Sequence, residues 1–287
     1  MIQGTVDSDG SIISIDLLHP WEIPQLSDIA DGELEISIIT YVSQGLKVKG
    51  YLVKPLAFKG RELPGLVYGR GGIRRVGMVR LPRMMLLAKR GYAVMAPVYR
   101  GNLGGEGQED FGGDDRYDLI HAVRVLKSLP YVAKKPIPLI GFSRGGIMVL
   151  SAALECADVG AVAVWGGVSD LQLTYDERVD LRRMLRRVVG HPRKQLDEYI
   201  LRSPRYFADR IDKPVLIIHG SDDQQVSVKH AWHLGDALES AGKTYDMRIY
   251  DGQGHVFTKE ADQDAWETIF TWFNKHEAFA TVMEEDR

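Results

Sequence analysis

Short, largely apolar runs alternate along this chain with stretches of helical periodicity. Apolar runs without polar alternation are typical of strands that are covered on both faces, as parallel strands are. Their regular alternation with helices predicts a mostly parallel, doubly wound α/β sheet. We predict strands at 65–69, 92–98, 137–142, 161–166, 214–219 and 245–250, and helices that end near 90 and span 114–129, 144–156, 226–241 and 261–276.

The N-terminal part follows a different pattern. Residues 33–54 alternate apolar and polar positions, which predicts an antiparallel hairpin at one edge of the sheet. Residues 1–32 contain Pro20, Pro24 and several acids, and they predict an irregular arm. We therefore expect an arm over 1–32 and one α/β domain over 33–287.

A long segment, 170–213, separates two of the predicted core strands. One short helix would connect them, but more than forty residues with helical periodicity intervene, which predicts a helical cap insertion. Arg182 and Arg186 lie one helical turn apart, as do Arg183 and Arg187. Two interpretations stay open: a solvated basic helix face, or a cap that presents cations to an acidic substrate.

The composition limits the classes of function. With 45% hydrophobic and 26% charged residues, the 287-residue chain has the composition of a globular protein with a large core. A net charge of −3 gives no indication of nucleic-acid binding. No apolar run reaches eighteen residues and the N-terminus lacks a signal-peptide pattern, so we expect neither a membrane span nor secretion. The single cysteine, Cys156, cannot form an internal disulfide, which favours a cytoplasmic location.

We expect no cofactor. The sequence contains no C-x-x-C, H-E-x-x-H or G-x-x-x-x-G-K-[ST] pattern. These patterns would indicate a metal site or a bound nucleotide. The predicted chemistry must therefore come from side chains and backbone groups.

A G-x-S-x-G motif stands directly after the apolar run at 137–140. The motif spans Gly141 to Gly145 with Ser143 at its centre, and helix-forming residues follow it. A strand, this motif and a helix in succession are the context of a nucleophile elbow. In such an elbow a tight turn strains the backbone of the serine, and the glycines allow the strand and the helix to pass each other without a clash. Ser143 would lie at a helix N-terminus, where partial positive charge favours a developing anion. An ordinary strand-to-helix turn is the alternative.

The groups that could activate this serine follow it in the chain. Asp222 and Asp223 lie in the turn after 214–219, and His255 lies in a glycine-containing loop after 245–250. The order serine, acid, histidine is that of α/β-hydrolases, and loops at the carboxyl ends of strands meet at one edge of the sheet. His255 would take the serine proton, and a carboxylate on its far nitrogen would orient it. Either aspartate could supply that carboxylate.

Several motifs together resemble the catalytic domain of the prolyl oligopeptidase family of serine hydrolases. The first is the spacing His219-Gly-x-x-Asp223-x-x-Val226. Residues 92–107 look like the family's strand and R-G-x-x-G-x-G loop, and Ser-Pro-Arg-Tyr at 203–206 looks like its S-P segment. The resemblance covers roughly residues 33–279. It implies an α/β-hydrolase fold, and it places the triad acid at Asp223 and a variable position at Asp222.

The oxyanion loop departs from the family pattern. Residues 68–73 read Tyr-Gly-Arg-Gly-Gly-Ile, with Arg70 where the resemblance implies tyrosine or histidine. The predicted oxyanion donors are the backbone N–H of Arg144 and that of Gly72 or Gly71. The Arg70 side chain could also donate, or it could turn outward to solvent. Together with Arg70, Tyr99 and Arg100 are the candidate substrate contacts.

The resemblance implies a serine hydrolase that cleaves acyl bonds of small molecules or short peptides through an acyl-enzyme. Enzymes of this family restrict access with a β-propeller, for which an arm of about thirty residues leaves no room. Size selection would then fall to the cap or to a homo-oligomer. Two alternatives remain: a strict carboxylesterase without peptidase activity, and a non-catalytic binding protein. Competent residues at all three triad positions disfavour the second, whereas the triad does not decide the first.

Overall fold

One mixed sheet forms the centre of the molecule. The structure, a computed structural model, describes residues 8–19, 32–58 and 60–276. The strands found there are β1 (Ile12–Leu17), β2 (Leu34–Ser43), β3 (Leu46–Pro55), β4 (Gly65–Gly69), β5 (Ala93–Pro97), β6 (Ile137–Phe142), β7 (Val159–Trp165), β8 (Val215–Gly220) and β9 (Tyr245–Tyr250).

The strand order confirms the predicted fold class. Within the described residues the nine strands pair in the order β1-β2-β3-β5-β4-β6-β7-β8-β9. β4 pairs in parallel with β5 and β6, and β7, β8 and β9 continue the parallel series. β2 and β3 form the predicted antiparallel hairpin, and β3 joins it antiparallel to β5. The sheet is therefore a doubly wound α/β sheet with an antiparallel N-terminal side.

Helices cover both faces of this sheet. They are α1 (Leu81–Lys89), α2 (Arg116–Ser128), α3 (Gly145–Glu155), α4 (Leu171–Glu177), α5 (Arg182–Val188), α6 (Leu196–Leu201), α7 (Lys229–Ser240) and α8 (Lys259–Lys275). Successive side chains of a strand point to opposite faces. In β8, Val215 and Ile217 pack in the apolar layer with α2, α3 and α7, whereas Leu216 and Ile218 pack with α1 and α8. This two-sided burial explains why the core strands are continuous apolar runs.

The prediction of an irregular arm over 1–32 is wrong for part of its length. β1 pairs antiparallel with β2, from Ile12 opposite Tyr41 to Leu17 opposite Ser37. Ile13, Ile15 and Leu17 are exposed, so β1 is an edge strand with one open face. The remainder of this arm, residues 1–7 and 20–31, lies outside the described residues.

The segment predicted as a cap carries α4, α5 and α6 between β7 and β8, together with 3₁₀ turns at Val179–Leu181 and Pro204–Arg210. Its apolar face forms a separate cluster with residues from α3 and from neighbouring loops, including the loop after β8. Members from the segment are Leu171, Tyr175, Leu185, Val189 and Tyr199, and their partners include Phe111, Ile147, Val168 and Val226. The segment therefore packs beside the carboxyl ends of the central strands.

Candidate active site

Ser143 occupies the tight turn between β6 and α3. Its φ of 58° lies in the left-handed region, which is rare for a residue with a side chain. A Cβ at Gly141 would lie 2.3 Å from the carbonyl oxygen of Gly145, so a larger residue there would clash with the turn. The Ser143 backbone N–H donates to Trp165 O at 3.1 Å, which anchors the turn to β7. These features are those of a nucleophile elbow.

Asp223 and His255 form a buried pair on the loops after β8 and β9. His255 Nδ1 lies 2.6 Å from Asp223 Oδ2, and both residues are at most 8% exposed. Asp223 Oδ1 accepts the backbone N–H groups of Gln225 and Val226 at 2.8 and 2.9 Å. The carboxylate is thus fixed by its own loop and holds one nitrogen of the imidazole, which leaves Nε2 for another partner.

The electrostatics of this pair favour an ionised Asp223. Burial raises the pKa of Asp223, but hydrogen bonds from His219 and His255 lower it by more, so that it lies well below the ordinary value. His219 is buried, and its Nε2 lies 2.7 Å from Val226 O and 3.5 Å from Asp223 Oδ2. A charged carboxylate beside His255 stabilises an imidazolium and fixes the neutral tautomer.

His255 and Ser143 belong to the same edge of the sheet. The ring of Phe142, the residue before Ser143, is 4.8 Å from the imidazole ring of His255, centroid to centroid. Gly166 directly follows β7, and a Cβ there would lie 3.3 Å from His255 Nδ1 and 3.4 Å from Asp223 Oδ2. Among the hydrogen bonds of the described residues, none joins Ser143 Oγ to the imidazole. Catalytic hydrogen bonds are often formed only once substrate is bound.

The predicted oxyanion loop lies against the serine. A Cβ at Gly71 would lie 2.7 Å from Ser143 Cβ and 3.2 Å from Ser143 Oγ, so only glycine permits this approach. Gly72 has a φ of 61°, and a Cβ there would lie 2.2 Å from Val76 O. Arg144 is the N-cap residue of α3, directly after Ser143. The backbone groups predicted as oxyanion donors are therefore adjacent to the serine.

The three candidate substrate contacts lie in the interior instead. Arg70 is 1% exposed and donates to Val98 O at 2.9 Å and to Glu109 Oε1 at 2.8 Å. Tyr99 is fully buried, and Arg100 forms an ion pair with the buried Asp118 at 2.8 Å. Contact of these side chains with a substrate therefore stays a prediction, whereas the alternative that Arg70 turns to solvent is wrong.

A buried charge cluster, which the sequence did not reveal, connects the predicted oxyanion loop to the turn that carries Ser143. Glu109 lies 2.8 Å from Arg70 Nη2 and 2.6 Å from Arg144 Nη2, and all three side chains are 1% exposed. Glu109 Oε1 also accepts the backbone N–H of Arg74 at 2.9 Å. Asp115 adds a second carboxylate, 3.2 Å from Arg144 Nη1. No motif relates Arg70 and Arg144 to an acid on a third loop, so pattern alone could not find this cluster.

In residues 8–19, 32–58 and 60–276, no group of three or more histidine, cysteine, aspartate or glutamate side chains is arranged to hold a metal ion. In the same ranges, no helix has the length and apolar character that crossing a bilayer requires.

Comparison with known proteins agrees with this geometry. The family model of the prolyl oligopeptidase family matches residues 79–278. The uncharacterized peptidase YtmA of Bacillus subtilis is 44% identical over 236 residues, which cover 82% of this chain and 91% of YtmA. Dipeptidyl-peptidase 5 of Porphyromonas gingivalis is 26% identical over 244 residues, which cover 78% of this chain but only 35% of that protein.

A solved structure shows the same fold. A puromycin-hydrolyzing peptidase of Mycobacterium tuberculosis superposes with a TM-score of 0.76 at 23% identity. The match covers 90% of this chain and 42% of that one. The chain thus spans nearly all of YtmA and well under half of the two longer proteins.

Proposed function

The chain belongs to the prolyl oligopeptidase family and is a serine hydrolase, and on this premise we propose that it cleaves acyl bonds of small molecules or short peptides through Ser143, His255 and Asp223. The observation that carries the proposal is the 2.6 Å contact between Asp223 and His255 at the sheet edge where Ser143 occupies its strained turn. An ionised carboxylate on one imidazole nitrogen leaves the other as a base.

The proposed reaction proceeds in two halves. His255 Nε2 takes the proton of Ser143 Oγ while this oxygen attacks the carbonyl carbon of the substrate. The resulting oxyanion accepts hydrogen bonds from the backbone N–H of Arg144 and from that of Gly72 or Gly71. His255 then gives the proton to the departing amine or alkoxide, which leaves the acyl group on Ser143. Water repeats the sequence and releases the acid.

Labelling of the serine tests the proposed nucleophile. A fluorophosphonate probe is expected to modify the wild-type protein, while Ser143→Ala should not react and should retain its melting temperature. Activity of this variant should fall by several orders of magnitude. Equal labelling of the variant and the wild type would exclude Ser143 as the nucleophile and with it the proposed mechanism.

The substrate class needs a direct comparison of rates. The peptidase names of YtmA and dipeptidyl-peptidase 5 support amide cleavage by this chain. We expect hydrolysis of both p-nitrophenyl esters and aminoacyl or prolyl p-nitroanilides, with esters faster because an alkoxide leaves more readily than an amine. Ester cleavage without any anilide cleavage would identify a strict carboxylesterase. Absence of both, with no labelling by the probe, would indicate a non-catalytic binding protein.

A further inference from the structure

An open pocket of about 590 Å³ lies on the cap, and three arginines line it. They are Arg182 and Arg186 from α5 and Arg193 from the loop before α6. None of the residues that line it belongs to the candidate active site. The volume falls within the range of small-molecule sites, roughly 300–1,000 Å³.

Two of the guanidinium groups are held in place by neutral acceptors. Arg182 donates from Nε to Tyr175 O and from Nη2 to Asp176 O, both at 2.8 Å. Arg186 donates from Nε to the Tyr175 hydroxyl at 2.6 Å. Both guanidinium groups lie over the Tyr175 ring, 5.3 and 5.6 Å from its centroid. These contacts fix the two cations and leave Arg182 Nη1 and both terminal nitrogens of Arg186 available to a ligand.

The pocket arginines differ from two other arginines of the cap, each of which has an acid as its partner. Arg178 pairs with Asp180 at 2.6 Å, and Arg205 pairs with Asp170 at 2.6 Å. Within the described ranges, by contrast, none of the three pocket arginines forms an ion pair with an acid. Their positive charge is therefore not compensated by the protein itself.

The other lining groups are consistent with an anionic ligand. Asp176 is the acid in the lining, and its carboxylate accepts from Gln172 Nε2 at 3.1 Å. One carboxylate against three guanidinium groups leaves the pocket net positive. His191 adds a further nitrogen, and Leu196, 54% exposed, adds an apolar side. Guanidinium groups match the geometry of phosphate and carboxylate oxygens.

We propose that this pocket binds a small organic anion that carries a phosphate or carboxylate group on an apolar body. Arg182 and Arg186 bind the anionic group, Arg193 adds charge, and Leu196 contacts the apolar part. The site is separate from Ser143 and does not depend on the proposed hydrolase mechanism. Its test measures binding alone, so failure of either proposal leaves the other standing.

The four arginines of α5 provide a matched pair of variants. Arg182 and Arg186 line the pocket, whereas Arg183 and Arg187 lie on the same helix and do not line it. Arg182→Gln with Arg186→Gln and Arg183→Gln with Arg187→Gln remove the same charge, so long-range attraction changes equally. Binding of phenyl phosphate and of benzoate is measured by titration calorimetry at constant ionic strength. We expect the variant of Arg182 and Arg186 to bind at least about tenfold more weakly, and the variant of Arg183 and Arg187 to stay within about twofold of wild type.

A second variant protects the test against a folding defect. Arg193→Gln removes a side chain that makes no hydrogen bond or ion pair within the described residues, so the fold should be retained. Its binding should weaken by about threefold or more. Binding of phenyl phosphate alone would identify phosphoesters as the source of the anion, and binding of benzoate alone would identify carboxylic acids. No binding of either probe, or equal weakening by both double variants, would overturn the proposal.

Discussion

Two adjacent aspartates, Asp222 and Asp223, differ completely in their surroundings. Asp223 is buried against His255, whereas Asp222 is exposed and accepts a hydrogen bond from Ser221 Oγ at 2.9 Å. Asp223→Asn should lower kcat by about 10³–10⁴-fold, because an amide does not hold the imidazole in the tautomer that accepts a proton at Nε2. Asp222→Asn should stay within about twofold of wild type. Steady-state kinetics decide this, and the reverse order would show that the acid is misassigned.

The buried Glu109 supports a prediction about stability. Glu109→Ala leaves the guanidinium groups of Arg70 and Arg144, both 1% exposed, without their shared carboxylate. Removing one partner of a buried ion pair costs about 3–5 kcal/mol, so the free energy of unfolding should fall by that amount. Urea unfolding measures the loss.

The control for Glu109 is an ion pair at the surface. Glu267 pairs with Arg90, and the two side chains are 60% and 45% exposed. Glu267→Ala should cost less than about 1 kcal/mol, because solvent screens exposed pairs. Similar losses in Glu109→Ala and Glu267→Ala would mean that the buried cluster contributes no more than a surface pair.

At the scale of single residues, motif and chain order were sufficient to select Ser143 and His255 as candidates, and the family resemblance selected Asp223 over Asp222. They were not sufficient for Arg70. The buried position of its side chain depends on Glu109, which lies 39 residues away on another loop. A sequence pattern shows which side chains are charged, but it does not show which carboxylate will meet a guanidinium group in the interior.

At the scale of secondary-structure elements, the strands that are buried on both faces were the easiest to predict. The predicted bounds of β4, β6 and β9 match those of the structure. β1 was missed because it lies at the sheet edge and precedes a segment with two prolines. The alternation of apolar and polar residues in β1 is weak evidence for a strand, because a strand at the edge of a sheet depends on its partner, here β2.

The first cap helix, α4, depends on one buried side chain. Asp170 Oδ1 accepts the N–H of Leu173 at 3.1 Å as the N-cap, and Oδ2 pairs with Arg205 at 2.6 Å. Asp170→Ala should lower the free energy of unfolding by about 1–3 kcal/mol, since it removes the cap and leaves buried groups unpaired. Asp170→Asn keeps a good cap and loses only the ion pair with Arg205, so a smaller loss than that of Asp170→Ala is expected. Equal losses in urea unfolding would show that the charge, and not the cap, stabilises this helix.

At the scale of the whole molecule, the sequence predicted a doubly wound sheet and the edge at which the candidate site lies. Both follow from regularities of chain direction: parallel strands need crossover helices, and loops after their carboxyl ends meet at one edge. The packing of the cap could not be predicted in this way. Its three short helices pack through Tyr175, Leu185 and Tyr199, and their mutual arrangement depends on tertiary contacts with other loops.

Buried histidines make the stability of the molecule sensitive to acid. His230, in α7, is 2% exposed, and its Nδ1 accepts a hydrogen bond from the backbone N–H of Ser169 at 3.3 Å. Burial lowers the pKa of His230 to about 3 from 6.5. Between these values the unfolded chain binds a proton that the folded protein excludes. The free energy of unfolding therefore falls as the pH drops through this window, by up to about 1.4 kcal/mol per pH unit for one proton.

His230→Gln should remove this contribution. The free energy of unfolding, measured with urea between about pH 6 and pH 5, should fall less steeply with decreasing pH in the variant than in the wild type. The difference between the two slopes should correspond to close to one proton. Part of the slope will remain, because burial also lowers the pKa of His121. Asp223, whose pKa is lowered, adds acid sensitivity only below the ordinary aspartate range, since its stabilisation is lost as the pH falls from there. Parallel slopes in wild type and variant would mean that His230 takes up its proton equally in the folded and the unfolded chain.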